Sequence, residues 1–247
     1  MTRQLQILVV VIVLSPGMFG QALDPPVEDR RVAANTLVRE DIFAGFLQKD
    51  LTRLARAERN IDLLLSSRPD NRAPLLAWKA DTALTRAVNA IEGNDPKEFR
   101  LHYSQALDLY AEAKRLAPDS IAILSITGGA QVSLADRLPA SERAASWELA
   151  YQCYRQLRKL EDDIDTLPAH FKGEVLSGLA ESAQRTGRVG EVDATLDEML
   201  TLLPNTPYAI RATQWKNDAS ARSNVKLTCQ TCHLPGTLAS RLAAISK

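Results

Sequence analysis

Between about Asn35 and about Trp215, apolar residues return every three or four positions, the period of a helix that buries one face. Leu176, Leu179, Ala180 and Ala183 make one such face, and Val192, Leu196 and Met199 make the next, with Gly187 at the turn between them. Ala57, Ile61 and Leu64 repeat the pattern earlier, as do Ala106, Tyr110 and Ala113, and Ala150, Tyr154 and Leu157. All 12 prolines fall in the N-terminal stretch or at the predicted helix boundaries. This is where a residue with locked φ and no N–H is tolerated. Three stops share one device: Arg68-Pro69-Asp70-Asn71, Ala117-Pro118-Asp119-Ser120 and Leu203-Pro204-Asn205-Thr206. In each, a helix ends and a short polar residue follows, ready to cap the next helix. With Pro168 the spacings are 49, 50 and 36 residues. A stop-and-cap signal at such periods predicts an all-α chain of stacked helical hairpins, because a single hairpin cannot bury its own apolar stripe. Trp78 and Trp147 are predicted to be packing residues.

The same residues resemble the tetratricopeptide repeat (TPR), which places small residues where two helices cross and a proline after the second helix. The last unit, described above and closed by Pro204, fits best. The first follows with Ala44, Gly45, Ala57, Ile61, Leu64 and Pro69, the second with Ala106, Tyr110, Ala113 and Pro118, and the third with Ala150, Tyr154 and Leu157. The resemblance covers about residues 38–216 and implies a right-handed solenoid whose concave face binds a protein partner. The two middle units are longer, and their extra residues are expected in turns, near Glu92 to Lys97 and near Leu138 to Glu142.

Composition agrees with helix: Gly is scarce at 11 residues. Lys plus Arg equals Asp plus Glu at 30 each, so nothing draws the chain generally to nucleic acid or to an anionic membrane. The first residues carry Arg3, the unbroken apolar run Ile7 to Leu14, a Ser15-Pro16-Gly17 break and the small-x-small triplet Gly20-Gln21-Ala22. This reads as a secretory signal peptide, 1–22, with the mature chain expected to start at Leu23. An uncleaved anchor is the alternative, although the apolar run is too short to span a bilayer. Residues 23–34 form a lead-in, 35–216 the repeats and 217–247 a tail. The predicted location is a bacterial periplasm, with no membrane insertion after cleavage.

The tail carries the chemistry. Cys229-Gln230-Thr231-Cys232-His233 lies 14 residues before the last residue. Two thiols two residues apart can reach the two vinyl groups on one edge of a porphyrin, and the adjacent His233 can then ligate the iron. The run therefore reads as a covalent site for haem c, with Cys229 and Cys232 as thioethers and His233 as axial ligand. Other readings remain. Cys229 and Cys232 can form a disulfide, as oxidising compartments favour. They can join His233 around zinc, but one ligand would be missing. The spacing can also be coincidence. The histidine and the export signal favour haem.

The sixth iron ligand is open between Met199, His102, His170, water, a vacant position and a partner's residue. Met199 sits at a core-facing position, and the two other histidines have ordinary surface or capping roles available. Too little chain follows His233 for a self-contained cytochrome domain, so the haem would lean on the last repeat or on a partner. Leu238, Leu242 and Ile245 can share one face of a short terminal helix. Cys153 is expected to be a buried free thiol. No phosphate loop, nucleophile elbow or zinc-protease motif is present, which predicts a non-enzymatic protein. The sequence thus suggests a periplasmic TPR scaffold carrying one haem c, docked on an envelope redox complex. Its rival is a haem-free protein-interaction adaptor with a Cys229–Cys232 disulfide.

Overall fold

The computed structural model describes residues 33–161 and 164–228. The predicted signal peptide, most of the predicted lead-in and the run Cys229 to His233 lie outside these residues. The described chain holds ten α-helices and three short 3-10 turns, with no strand among the described residues. The helices are α1 Ala34–Gln48, α2 Leu51–Ser67, α3 Arg72–Glu92, α4 Pro96–Leu116, α5 Ile121–Leu134, α6 Ala140–Leu160, α7 Ala169–Arg185, α8 Val189–Leu202, α9 Pro207–Asn217 and α10 Ala221–Asn224. Each packs on the next in sequence, and α1, α3, α5 and α7 also touch one another in a row.

Local chemistry explains the turns. Asp50 caps α2 by accepting from the amides of Thr52 and Arg53 at 3.1 and 3.0 Å. Asp95 does the same for α4, taking the Lys97 and Glu98 amides. Ser120 and Thr206 cap α5 and α9. The stop at Pro69 works differently: Pro69–Asn71 forms a 3-10 turn, and no side chain caps α3. Left-handed residues reverse the chain at Lys49, Asn94 and Gly187, with φ of 56°, 61° and 77°.

The expected turn insertions are not found at the first place. Only Gly93 to Asp95 separate α3 from α4, and the added length instead extends both helices to 21 residues. Between α5 and α6 the connection does lengthen, through the 3-10 turn Ala135–Arg137 and the buried Leu138.

Two apolar cores share α5. Ile123, Ile126, Ala130 and Leu134 face the first, with α1 to α4. Leu124 and Val132 face the second, with α6 to α9 and Leu227. A helix buried on two sides needs no polar face, which is why α5 is apolar nearly all round while its neighbours are amphipathic. Glycine permits the closest crossings. A Cβ on Gly45 would sit 2.8 Å from Leu54, and one on Gly178 would sit 2.2 Å from the Tyr154 ring. Ion pairs stitch the rest: Asp41, buried on α1, accepts from both Arg53 and Arg56 of α2 at 2.6–2.7 Å.

Candidate functional site

The row of α1, α3, α5 and α7 walls a groove of about 600 Å³. Such a volume is typical of small-molecule and cofactor sites. Its walls are mainly apolar and aromatic. Phe43 and Phe46 come from α1, Trp78 from α3, Ile126 from α5, and Phe171 and Val175 from α7. Phe43 packs edge-on against Phe46 at 4.9 Å and against Trp78 at 6.2 Å. Trp78 is thus a wall of the groove as well as a packing residue. Gly129 leaves the α5 wall open, since a Cβ there would meet only the Tyr154 hydroxyl, at 3.9 Å. Two buried donors on the walls, Trp78 Nε1 and Ser125 Oγ, make no hydrogen bond among the described residues.

Asp81 also lines the groove, and it is 1% exposed. Burial holds its carboxyl well above the usual carboxylate range, against the opposing effect of the hydrogen bond that Tyr110 donates at 2.6 Å. Burial likewise pushes the Cys153 thiol up to about 12. Cys153 is buried, as expected, and it is a packing residue rather than a nucleophile.

The last described residue, Thr228, lies on the wall of the same groove. It is held there by Glu181 of α7, which is 0% exposed. One carboxylate oxygen of Glu181 accepts from the amides of Leu227 and Thr228 at 3.1 and 3.4 Å and from the Thr228 hydroxyl at 3.3 Å. The other pairs with Lys226 at 2.9 Å. Lys226 continues to Asp136 at 3.1 Å and lies over the Trp147 ring. Trp215 Nε1 and Arg211 Nε donate to the carbonyls of Val225 and Leu227 at 2.8 and 2.9 Å. The segment 225–228 is therefore fastened from both sides, and Leu227 is fully buried.

The three histidine and methionine candidates separate clearly. Met199 is fully buried in the second core and does not line the groove. His102 lies on α4, with Nε2 3.5 Å from Glu98, and is also off the groove. His170, exposed at the start of α7, does line it. Its Nδ1 is 3.0 Å from the Tyr208 hydroxyl, which reaches Glu174 Oε1 at 2.8 Å. A carboxylate only accepts, so Tyr208 donates to Glu174, and His170 Nδ1–H donates to Tyr208. Gly173 makes room for this: a Cβ there would fall 2.3 Å from the Tyr208 ring. Sequence reading found His170 but missed Tyr208, Glu174 and Glu181. Glu174 stands one turn from His170 and was visible in the spacing. Tyr208 and Glu181 depend on contacts 38 and 46 residues apart.

Cys229, Cys232 and His233 lie outside the described residues, one to five positions beyond Thr228. Among the described residues, no group of three or more His, Cys, Asp or Glu could hold a metal ion, and no helix is long and apolar enough to cross a membrane. No family model, curated protein or solved structure matches the chain.

Proposed function

We propose that this chain is an exported TPR-like right-handed solenoid that carries one haem c on its tail and holds or passes an electron within an envelope redox complex. Cys229 and Cys232 are its thioether anchors, and His233 is an axial ligand. The carrying observation is the fastening of Thr228 to Glu181 on the wall of an apolar groove. The haem run thus leaves from a fixed place beside a cavity of cofactor size. The surroundings fit a haem: aromatic walls for the ring and an open α5 wall at Gly129.

Attachment is balanced without an oxidant. Cys229 and Cys232 would each hold the haem through a thioether, the S–H adding across one vinyl group with the sulfur on one carbon and the hydrogen on the other. Bound iron supplies a one-electron ferric–ferrous couple. The protein's own residues would hold it and present it to a partner.

Pyridine haemochrome absorption tests the reading on full-length protein expressed with cytochrome c maturation factors. A covalent haem signal lost in Cys229→Ala/Cys232→Ala is expected. No covalent haem in the wild-type chain would sink the proposal. A Cys229–Cys232 disulfide found in its place would favour the adaptor.

A further inference from the structure

We propose that the α1–α3 half of the groove binds a neutral, flat, apolar molecule by one carbonyl oxygen, with the Asp81 carboxyl as its hydrogen-bond donor. This site lies in the half of the groove away from Thr228 and stands whether or not the tail carries haem.

The first ground is the shape of that half. The first core lends Phe46, Trp78, Ile126 and Ala130 to the groove wall, with Phe43 packed against them. Phe171, Val175 and Thr228 line the other half, beside the second core. The Phe43 ring meets those of Phe46 and Trp78 at 72° and 80°. Aromatic planes so inclined make a corner, in which a flat ligand can lie on one ring and touch the edge of another.

The second ground is the place of Asp81. It follows Trp78 by one turn of α3, lines the groove and is 1% exposed. Its Oδ1 accepts from the Tyr110 hydroxyl at 2.6 Å. A neutral carboxyl accepts at one oxygen and donates from the other, so Oδ2 is the oxygen that carries the proton. Burial raises the carboxyl well above the usual range, so the proton stays on at pH values where an exposed aspartate has lost it. Tyr110 polarises the group and sharpens Oδ2–H as a donor.

The third ground is charge. Arg39 of α1, Tyr154 of α6, and His170 and Glu174 of α7 share the groove with Asp81. From the helices packed on α3, α1 adds the buried acids Glu40 and Asp41, and α5 has no ionisable side chain. The α4 carboxylate Glu112 is tied to Arg72, and on α2 Glu58 and Asp62 are tied to Arg86 and Lys79. The turn before α3 carries the exposed Asp70. On the groove wall, then, a guanidinium and a protonated carboxyl both favour an acceptor oxygen. A cationic ligand would meet Arg39, an anionic one would meet Glu174, and either would leave its hydration behind among apolar walls. A neutral carbonyl compound suits all of them.

The test titrates full-length protein by ligand-observed NMR with four probes: acetophenone, isopropenylbenzene, benzoate and phenyltrimethylammonium. Isopropenylbenzene has the shape of acetophenone without its oxygen. Acetophenone should bind about tenfold more tightly than isopropenylbenzene, the worth of one good hydrogen bond, and more tightly than either ion. Asp81→Leu/Tyr110→Phe removes both partners of the buried bond together, and circular dichroism will show that it folds. It should bind both neutral probes and lose the preference between them. Asp81→Asn keeps an acceptor for Tyr110 and offers an amide donor in place of the acid. The wild type should lose affinity for acetophenone, relative to Asp81→Asn, as pH rises from 4 to 9, because an ionised carboxylate cannot donate. Gly129→Leu, which projects a side chain into the groove, should weaken both neutral probes alike. Equal binding of the two neutral probes by the wild type overturns the carbonyl contact, and tighter binding of either ion overturns the ligand class. A preference that survives in the double variant, or parallel pH profiles of wild type and Asp81→Asn, overturns Asp81 as the donor. Unchanged binding in Gly129→Leu overturns the groove as the site. Absence of covalent haem overturns the haem reading alone and leaves each of these outcomes in force.

Discussion

Asp81 and Glu181 occupy the two halves of the molecule in parallel settings. Each sits on a helix that walls the groove, and they are 1% and 0% exposed. Their partners differ. Asp81 is answered inside its own half, by the hydroxyl of Tyr110 on α4. Burial dominates there and raises its carboxyl well above the usual carboxylate range. Glu181 is answered by a later segment of chain, through Lys226, two backbone amides and the Thr228 hydroxyl. The first half therefore closes on itself. The second half is complete only when residues 225–228 are in place. A buried acid can fill a core or fasten a strap, and what it meets decides which.

The largest effect should come from breaking the strap. Glu181→Ala leaves the buried Leu227 amide and the partly buried Thr228 amide without their acceptor and takes one of two carboxylate partners from Lys226, and should cost about 3 kcal/mol. Chemical denaturation measures the loss, and hydrogen exchange should show the Leu227 and Thr228 amides unprotected. A cost as small as that of Asp81→Asn would erase the contrast between the halves.

Next is the contrast between two glycines. Gly178→Ala forces a methyl into the Tyr154 ring and should cost about 2 kcal/mol. Gly129→Ala meets nothing closer than 3.9 Å and should be neutral or stabilising by up to about 1 kcal/mol. Thermal melts of the two variants give the comparison directly.

The Asp81 contrast has a pH signature. Its folded carboxyl keeps a proton that the unfolded chain releases at lower pH. Stability from this residue is therefore highest below the unfolded-chain value and falls as pH rises between the two values. Asp81→Asn preserves an acceptor for Tyr110 and should flatten that slope, with little change in stability at acidic pH. Urea midpoints from pH 4 to pH 8 would show a persistent slope if another group were responsible.

The smallest effect is at Glu92, where the α1–α2 turn, the end of α3 and the α5–α6 connection meet. The hydrogen bond from Arg137 is the largest cause that holds its carboxyl down at about 2; desolvation opposes it, and the hydrogen bond from Lys49 and the charges of both cations add to it. A depressed value means that its contribution is present above the unfolded carboxyl range and is lost as pH falls toward 2. The site is solvent-screened, so Glu92→Gln should cost about 0.5 kcal/mol at neutral pH and nothing in strong acid. Equal costs at both pH values would refute the ion-pair account.

Much of the helical plan was legible beforehand. Pro69, Pro118 and Pro204 do follow helix ends, and Ser120 and Thr206 do cap the helices after them. The inner faces predicted for α7 and α8 are buried. The misreading at Glu92 to Lys97 has a simple cause. Asp95 and Pro96 mark a helix start clearly, but nothing local says how far the helices on either side run. The site was legible only in its chemistry. His170 was one candidate among three, and its tie to Tyr208 and Glu174 joins residues 38 apart in the chain.

Local and periodic properties were thus fixed by the sequence alone: helix type, stops, caps, the crossings at small residues, and the Cys229-x-x-Cys232-His233 run as the chemical feature of the tail. These depend on neighbours within a few positions, where φ restriction, capping and a 3.6-residue period act. Only the tertiary structure decided that α1, α3, α5 and α7 enclose a groove, that Glu181 fastens Thr228 to its wall, and that His170 faces it. Those relations join residues far apart in the chain, and packing rather than local preference brings them together.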